Sequence, residues 1–154
     1  MIKILFVCHG NICRSPMAEF VMRDMAEKQG IADKLYIASA ATSTEEIGNP
    51  VHYGTRDKLK QHGISVDGKT AVQLKRDDYA RYDYIIGMDE WNMYNIRRIV
   101  RIDPENKLHK LLSISGNGRD VADPWYTGDF DTTYNDIVEG CTALINEIRS
   151  KYKI

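Results

Sequence analysis

Ile4-Leu5-Phe6-Val7-Cys8-His9-Gly10-Asn11-Ile12-Cys13-Arg14-Ser15-Pro16 is the stretch from which this 154-residue chain is read. Its first four residues are an uninterrupted apolar run, as in a strand covered on both faces, and the first strand is expected at Ile2 to Val7. Met17 to Lys28 then carries Met17, Phe20, Val21 and Met25 on one helical face, with Gly30 as the stop. Pro16 suits the first helical position. A strand, a short turn and a helix N-terminus bring unpaired N–H groups and the positive dipole end to one spot, which makes an anion site. A thiol at its mouth, Cys8, and an arginine closing it, Arg14, make that site a candidate for phosphoryl transfer.

Outward from this stretch, strands and helices alternate. The second strand is expected at Lys34 to Ala40, followed by a loop from Thr42 to Pro50 and a weak helix from Val51 to His62. Asp67-Gly68 marks a turn. A short helix falls within Lys75 to Tyr82, and Tyr84-Ile85-Ile86 makes a third strand. Asp89 is placed to cap a helix running to about Arg101, whose Arg97, Arg98 and Arg101 read as a solvated face. Asp103-Pro104 stops it. Lys107 to Ile114 reads as the fourth strand, and a polar loop runs from Ser115 to about Asp131. The last helix, capped by Asp131, is the clearest element: Tyr134, Ile137, Val138, Cys141, Leu144, Ile145 and Ile148 form one apolar stripe. The alternation predicts an α/β layered fold with a mainly parallel sheet. Ligands of such sheets sit beyond the carboxyl ends of the strands, where the Cys8 loop lies. With no repeat or linker, residues 1–154 are expected to form a single domain.

Composition narrows the function classes. Lys and Arg number 21 against 22 Asp and Glu, a net charge of −1, which argues against a nucleic-acid partner. No segment reads as a signal peptide, a membrane span or a lipidation site, so a cytoplasmic protein with no membrane partner is expected. Three cysteines do not make a disulfide scaffold; Cys8 and Cys13 are close enough to interact, but no second Cys or His pair has zinc spacing. Neither a metal nor a cofactor is expected, and the oligomeric state is expected to be a monomer or weak dimer.

The loop chemistry follows from what a phosphate ester demands. Gly10 and Asn11 tolerate the left-handed backbone that curls N–H groups inward as a nest. Arg14 offers a planar fork for two phosphate oxygens. The five-residue gap between Cys8 and Arg14 suits a loop around one phosphate. A cysteine beside an arginine and a helix N-terminus ionises readily, so Cys8 is the expected nucleophile. Ser15 is placed to hydrogen-bond the sulfur. Cys13 has two readings, a small filler of the loop or a resolving thiol that traps oxidised Cys8 as a disulfide. His9 is in the loop with its side chain expected to point outward, and Cys141 belongs to the apolar stripe as a buried thiol.

The run from Val7 to Pro16 resembles that of the low-molecular-weight protein tyrosine phosphatase family. The likeness extends to Ser39-Ala40-Ala41, Gly48, His62-Gly63-Ile64, Asp83-Tyr84-Ile85, Met88-Asp89 and Asp123-Pro124-Trp125-Tyr126. It implies a three-layer α/β fold, a four-stranded parallel sheet of order 2-1-3-4 flanked by helices, and metal-free hydrolysis of phosphotyrosine on a tyrosine-phosphorylated protein. By that resemblance Cys8 is the nucleophile, Arg14 the phosphate clamp and Asp123 the general acid. His9, Gly10, Asn11, Ile12, Cys13 and Ser15 form the phosphate loop, with Asn11 holding its shape and Ser15 stabilising the thiolate. Trp125 or Tyr126 is expected to wall the phenol slot. Asp123-Pro124 also reads as the start of a turn, and Asp120 is a fallback acid. Many members carry an aromatic residue where this chain has Glu45, so an acidic cleft wall that favours basic flanking sequences is expected here. Many also place a histidine near Gly68 to support the loop asparagine; in this chain that support is expected to be absent or to come from elsewhere.

Competing readings are weaker. An arsenate reductase needs relay cysteines, and none lies between Cys13 and Cys141. Protein arginine phosphatases resemble a loop with threonine at the position of Ile12. A phosphotyrosine-binding module would not need Cys8, Arg14 and Asp123 together.

Overall fold

The computed structural model describes residues 1–154. Four parallel strands, β1 (Ile2–Cys8), β2 (Leu35–Ala41), β3 (Tyr84–Gly87) and β4 (Leu108–Lys110), lie in the order β2-β1-β3-β4. Seven helices connect and cover them: α1 (Arg14–Lys28), α2 (Tyr53–Lys60), α3 (Asp78–Arg81), α4 (Glu90–Val100), α5 (Leu111–Ile114), α6 (Pro124–Thr127) and α7 (Phe130–Tyr152). This is the α/β architecture and strand order expected.

The strand period of two divides β1 between two cores. Ile2, Ile4, Phe6 and Cys8 face a large cluster that includes Met17, Val21 and Met22 of α1 and Ile137, Cys141, Leu144 and Ile145 of α7. Leu5 and Val7 face the opposite side, with Ile85 and with Met93, Ile96 and Val100 of α4. A strand buried on both faces is why its sequence is a run rather than an alternation. Register pairs Cys8 with Ala41 and Val7 with Gly87, so β1 delivers Cys8 at the carboxyl edge of the sheet. Gly140 lets α7 approach α5, because a β-carbon there would overlap the Leu111 side chain.

Four expectations are corrected. The first helix begins at Arg14, so Pro16 is its third residue rather than its first. It is tolerated there because first-turn N–H groups have no intrahelical acceptor. The fourth strand spans only Leu108–Lys110, and Leu111–Ile114 turns into α5. The run Leu111-Leu112 is buried in either geometry, and its β3 partner stops at Gly87, which leaves no ladder to extend. The last helix is capped by Asp129, which accepts from the Thr132 N–H at 3.0 Å, and Asp131 lies in its first turn bonded to Lys58 at 2.7 Å. The polar loop also contains α6, opened by Pro124 with Asp123 as cap. Asp89 caps α4 as expected, with a reciprocal bond from Asn92.

Candidate active site

The loop from Cys8 to Arg14 is held from outside by its carbonyls. Cys8 C=O accepts from Thr42 N–H (3.0 Å), His9 C=O from Ser43 (2.9 Å) and Ile12 C=O from His52 (2.8 Å). Cys13 C=O accepts from the Thr55 hydroxyl at 3.1 Å. With the carbonyls turned outward, the N–H groups of Gly10, Asn11, Ile12 and Cys13 donate to no protein acceptor. Four free donors followed by a helix N-terminus form an anion-binding concavity. Asn11 adopts the expected left-handed backbone (φ 58°). Gly10 does not. Its need is room, since a β-carbon there would stand 3.3 Å from Glu46 Cγ.

Asn11 is locked by its side chain. Nδ2 donates to Ser15 Oγ (2.7 Å) and Ser39 Oγ (2.9 Å), and Oδ1 accepts from Val72 N–H (3.1 Å). Ser39 donates onward to Glu19, a buried carboxylate paired with Arg23 at 2.8 Å. Lys69 closes the assembly, donating to Ser39 C=O at 2.9 Å and lying 3.6 Å from Glu19. Burial holds the Lys69 ammonium below its usual range, against the pull of Glu19. The support expected from a histidine near Gly68 thus comes from Ser39, Val72 and this buried pair. Ser39 stood in the sequence only as part of the resemblance, with no role, and Glu19 as an ordinary helix residue.

Cys8 Sγ lies 3.0 Å from Ser15 Oγ and 3.5 Å from Ser15 N–H. Ser15 Oγ already accepts from Asn11, so its own proton is free for the sulfur. Arg14 is 3% exposed. Its Nη1 donates to Asp89 Oδ2 (2.6 Å) and Val121 C=O (2.9 Å), and Nη2 lies 3.5 Å from Asp123 Oδ2. Burial alone would lower the guanidinium, but Cys8, Asp89 and Asp123 together raise it, so the cation is secure. Asp89 thus has a second task, orienting Arg14, which its capping sequence hides.

Asp123 Oδ1 accepts from Trp125 N–H at 3.0 Å, which fixes the carboxyl at the start of α6. Cys8, His9, Gly10, Ile12, Cys13, Arg14, Glu45, Glu46, Asp123, Trp125 and Tyr126 line one cavity of about 130 Å³. Both aromatics named as alternatives reach it, and both are largely exposed. Glu46 was not foreseen. His9 is half-exposed as expected, and its Nε2 lies 3.0 Å from Glu45 Oε2. Asp120 is tied elsewhere, to Lys110 Nζ (2.9 Å) and Glu90 N–H (3.2 Å). Cys141 is fully buried against Ala18 C=O, and burial pushes its thiol up. A larger cavity, about 690 Å³, follows β2 past Tyr36, Ala38 and Tyr82 and contains no residue of the thiol loop.

An α/β sheet that presents a thiol, a nest of free N–H groups and a fixed cation at one strand end is a fold and site suited to phosphate esters. Residues 3–153 match the family model of the low molecular weight phosphotyrosine protein phosphatases, and the chain belongs to that family. It is 40% identical to the low molecular weight protein-tyrosine-phosphatase YfkJ of Bacillus subtilis, over 100% of both chains. The crystal structure of YfkJ superposes with a TM-score of 0.94, at 41% identity over 98% of this chain and 96% of that one. The Streptococcus pyogenes enzyme SP-PTP gives 0.85 at 41% identity, over 96% and 93%. DARP, a drosophila arginine phosphatase, gives 0.86 at 27% identity, over 97% and 98%. The protein is therefore a protein-tyrosine-phosphatase by family. No helix is long and apolar enough to cross a membrane.

Proposed function

We propose that the chain hydrolyses phosphotyrosine through a cysteinyl-phosphate. The thiolate of Cys8 attacks phosphorus while the free N–H groups and Arg14 take the phosphate oxygens. The S–P bond forms, the bond to the phenol oxygen breaks, and protonated Asp123 gives that oxygen its proton. Water then attacks the phosphoryl group, loses a proton to the Asp123 carboxylate, and releases inorganic phosphate and the thiolate. The observation that carries this reading is the sulfur of Cys8 at the head of a loop with four unpaired N–H groups, with Ser15 free to donate to it. The testing experiment is a panel of phosphotyrosine, phosphoserine, phosphoarginine and arsenate with wild type and Cys8→Ser. Turnover of phosphotyrosine by wild type alone supports the reading. Faster turnover of phosphoarginine would move the substrate class.

The cleft wall argues for the sequence around the phosphotyrosine. Glu45, Glu46, Trp125 and Tyr126 all line the cavity that holds Cys8. A flanking lysine or arginine meets carboxylates and aromatic faces together. Glu45→Lys is expected to lower kcat/KM for lysine-flanked phosphotyrosine peptides by about three- to tenfold, an effect that fades in high salt. Equal rates on lysine- and glutamate-flanked peptides in wild type would remove this preference.

Oxidation of Cys8 by peroxide to the sulfenic acid, with release of water, is proposed to be reversible through Cys13, whose thiolate attacks the Cys8 sulfur, forms the S–S bond and expels hydroxide, which takes up a proton from solvent. Burial, then the charges of Cys8 and Asp123, push the Cys13 thiol up to about 12, so at neutral pH it is protonated. Trapping should accelerate roughly tenfold per unit between pH 7 and 9 as the thiolate fraction grows. Mass spectrometry that finds only sulfinic Cys8 at every pH would remove the protective role.

A further inference from the structure

His52 joins the phosphate loop to the loop that carries Asp123. Its backbone N–H donates to Ile12 C=O at 2.8 Å. Its Nδ1 accepts from Gly54 N–H at 3.0 Å and caps α2. One residue beyond Gly54, the Thr55 hydroxyl donates to Cys13 C=O. The start of α2 is therefore bonded to two successive residues of the phosphate loop.

The His52 ring faces the other way. It stacks on Tyr53 (centroids 4.4 Å apart) and Phe130 (5.5 Å), and meets Trp125 edge-on at 5.6 Å and 73°. Phe130 reaches this place because Gly54 has no β-carbon; one there would overlap the Phe130 ring. Trp125 is 57% exposed, so few surfaces fix its indole. The Trp125 N–H in turn holds Asp123 Oδ1.

We propose that the His52 ring is a positioning residue for proton transfer. It sets Trp125, and through the Trp125 N–H the Asp123 carboxyl, at a fixed distance from the phosphate loop to which the His52 backbone is bonded. This rests on the reading of Asp123 as proton donor. The edge-to-face geometry is the favourable one for a ring pair, and small displacements of a proton donor are felt in rate. The competing role is a helix cap alone, and two substitutions separate them. His52→Asn keeps a capping acceptor and removes the ring. His52→Phe keeps a flat ring and removes the acceptor.

The test is the dependence of kcat/KM on the leaving group, from nitrophenyl phosphate to phenyl phosphate, for wild type, Asp123→Ala and both His52 variants. A poorer leaving group needs the proton more, so loss of a positioned acid steepens the dependence. His52→Asn should lose about tenfold more on phenyl phosphate than on nitrophenyl phosphate, a part of what an acid supplies. His52→Phe should follow wild type. Competitive inhibition by inorganic phosphate should stay within about twofold in both, since the phosphate loop keeps its main-chain bonds. An equal loss on both esters in His52→Asn, a phosphate affinity that falls with the rate, or a steepened dependence in His52→Phe would overturn the proposal. Should Asp123→Ala itself show the wild-type dependence, the proton-donor reading fails and the His52 role falls with it. Should Asp123→Ala be steep and His52→Asn shallow, only the His52 role fails.

Discussion

Replacing Cys8 by serine is expected to take aryl phosphate hydrolysis down by roughly 10⁴–10⁶, to the level of the uncatalysed background, the loss typical of removing a nucleophile. The reason is local. Ser15 Oγ at 3.0 Å and Ser15 N–H at 3.5 Å from the sulfur both donate toward position 8. Such donors stabilise an anion already present, but they do not remove the proton of a neutral hydroxyl. A serine there has no base beside it, while a thiol needs none. The fold should persist, because Cys8 Sγ and a serine hydroxyl meet the same Ser15 partner. Phosphate binding should persist too, since the four unpaired N–H groups and Arg14 are unchanged. Cys141→Ser serves as the control. That thiol packs in the α1–α7 core, away from the loop, so turnover per folded molecule should remain. Activity that survives in Cys8→Ser would end the account.

Removing the proton donor is expected to act differently. Asp123→Ala should cut kcat by roughly 10²–10⁴ while substrate still binds. The carboxylate lies 3.5 Å from Arg14 Nη2, so its loss frees that nitrogen for a phosphate oxygen and should not raise KM. Alanine also removes the cap of α6, because Asp123 Oδ1 holds the Trp125 N–H. Asp123→Asn separates the two effects: asparagine caps as well as aspartate but cannot give up a proton. Both variants should lose turnover to a similar degree if proton transfer is what Asp123 supplies. A near-normal Asp123→Asn would reduce the residue to a structural cap.

The parts of the fold that could be read from the chain were those where burial alone decides the pattern. β1 is covered on both faces and so is continuous in sequence; α7 lies on the sheet and so carries one apolar stripe. Elements set by a partner were not legible. β4 ends where β3 ends, and nothing in Lys107 to Ile114 records that limit. Asp129 and Asp131 are equally good first-turn residues, and only the Lys58 bond to Asp131 shows which one is free of the cap. The same division runs through the site. The residues at the phosphate loop were legible because a nucleophile, a cation and a turn fall within one short segment. Asp89, Ser39, Glu19 and Lys69 act across the sheet, and each has an innocent local reading as a cap, a strand residue, a helix residue or a surface lysine. Glu45 was legible as a departure from the resemblance, but its partner His9 and its neighbour Glu46 in the cavity needed the fold.

The central claim is that the phosphoryl group passes through the sulfur of Cys8. The most direct measurement is rapid quenching of the enzyme during turnover of a phosphorus-labelled aryl phosphate, followed by peptide mapping. A phosphoryl group should be found on the peptide carrying Cys8, at a level that rises and decays with turnover, and none should be found in Cys8→Ser. Full turnover with no labelled enzyme under conditions where breakdown of the intermediate limits the rate, or label on any other residue, would contradict the claim.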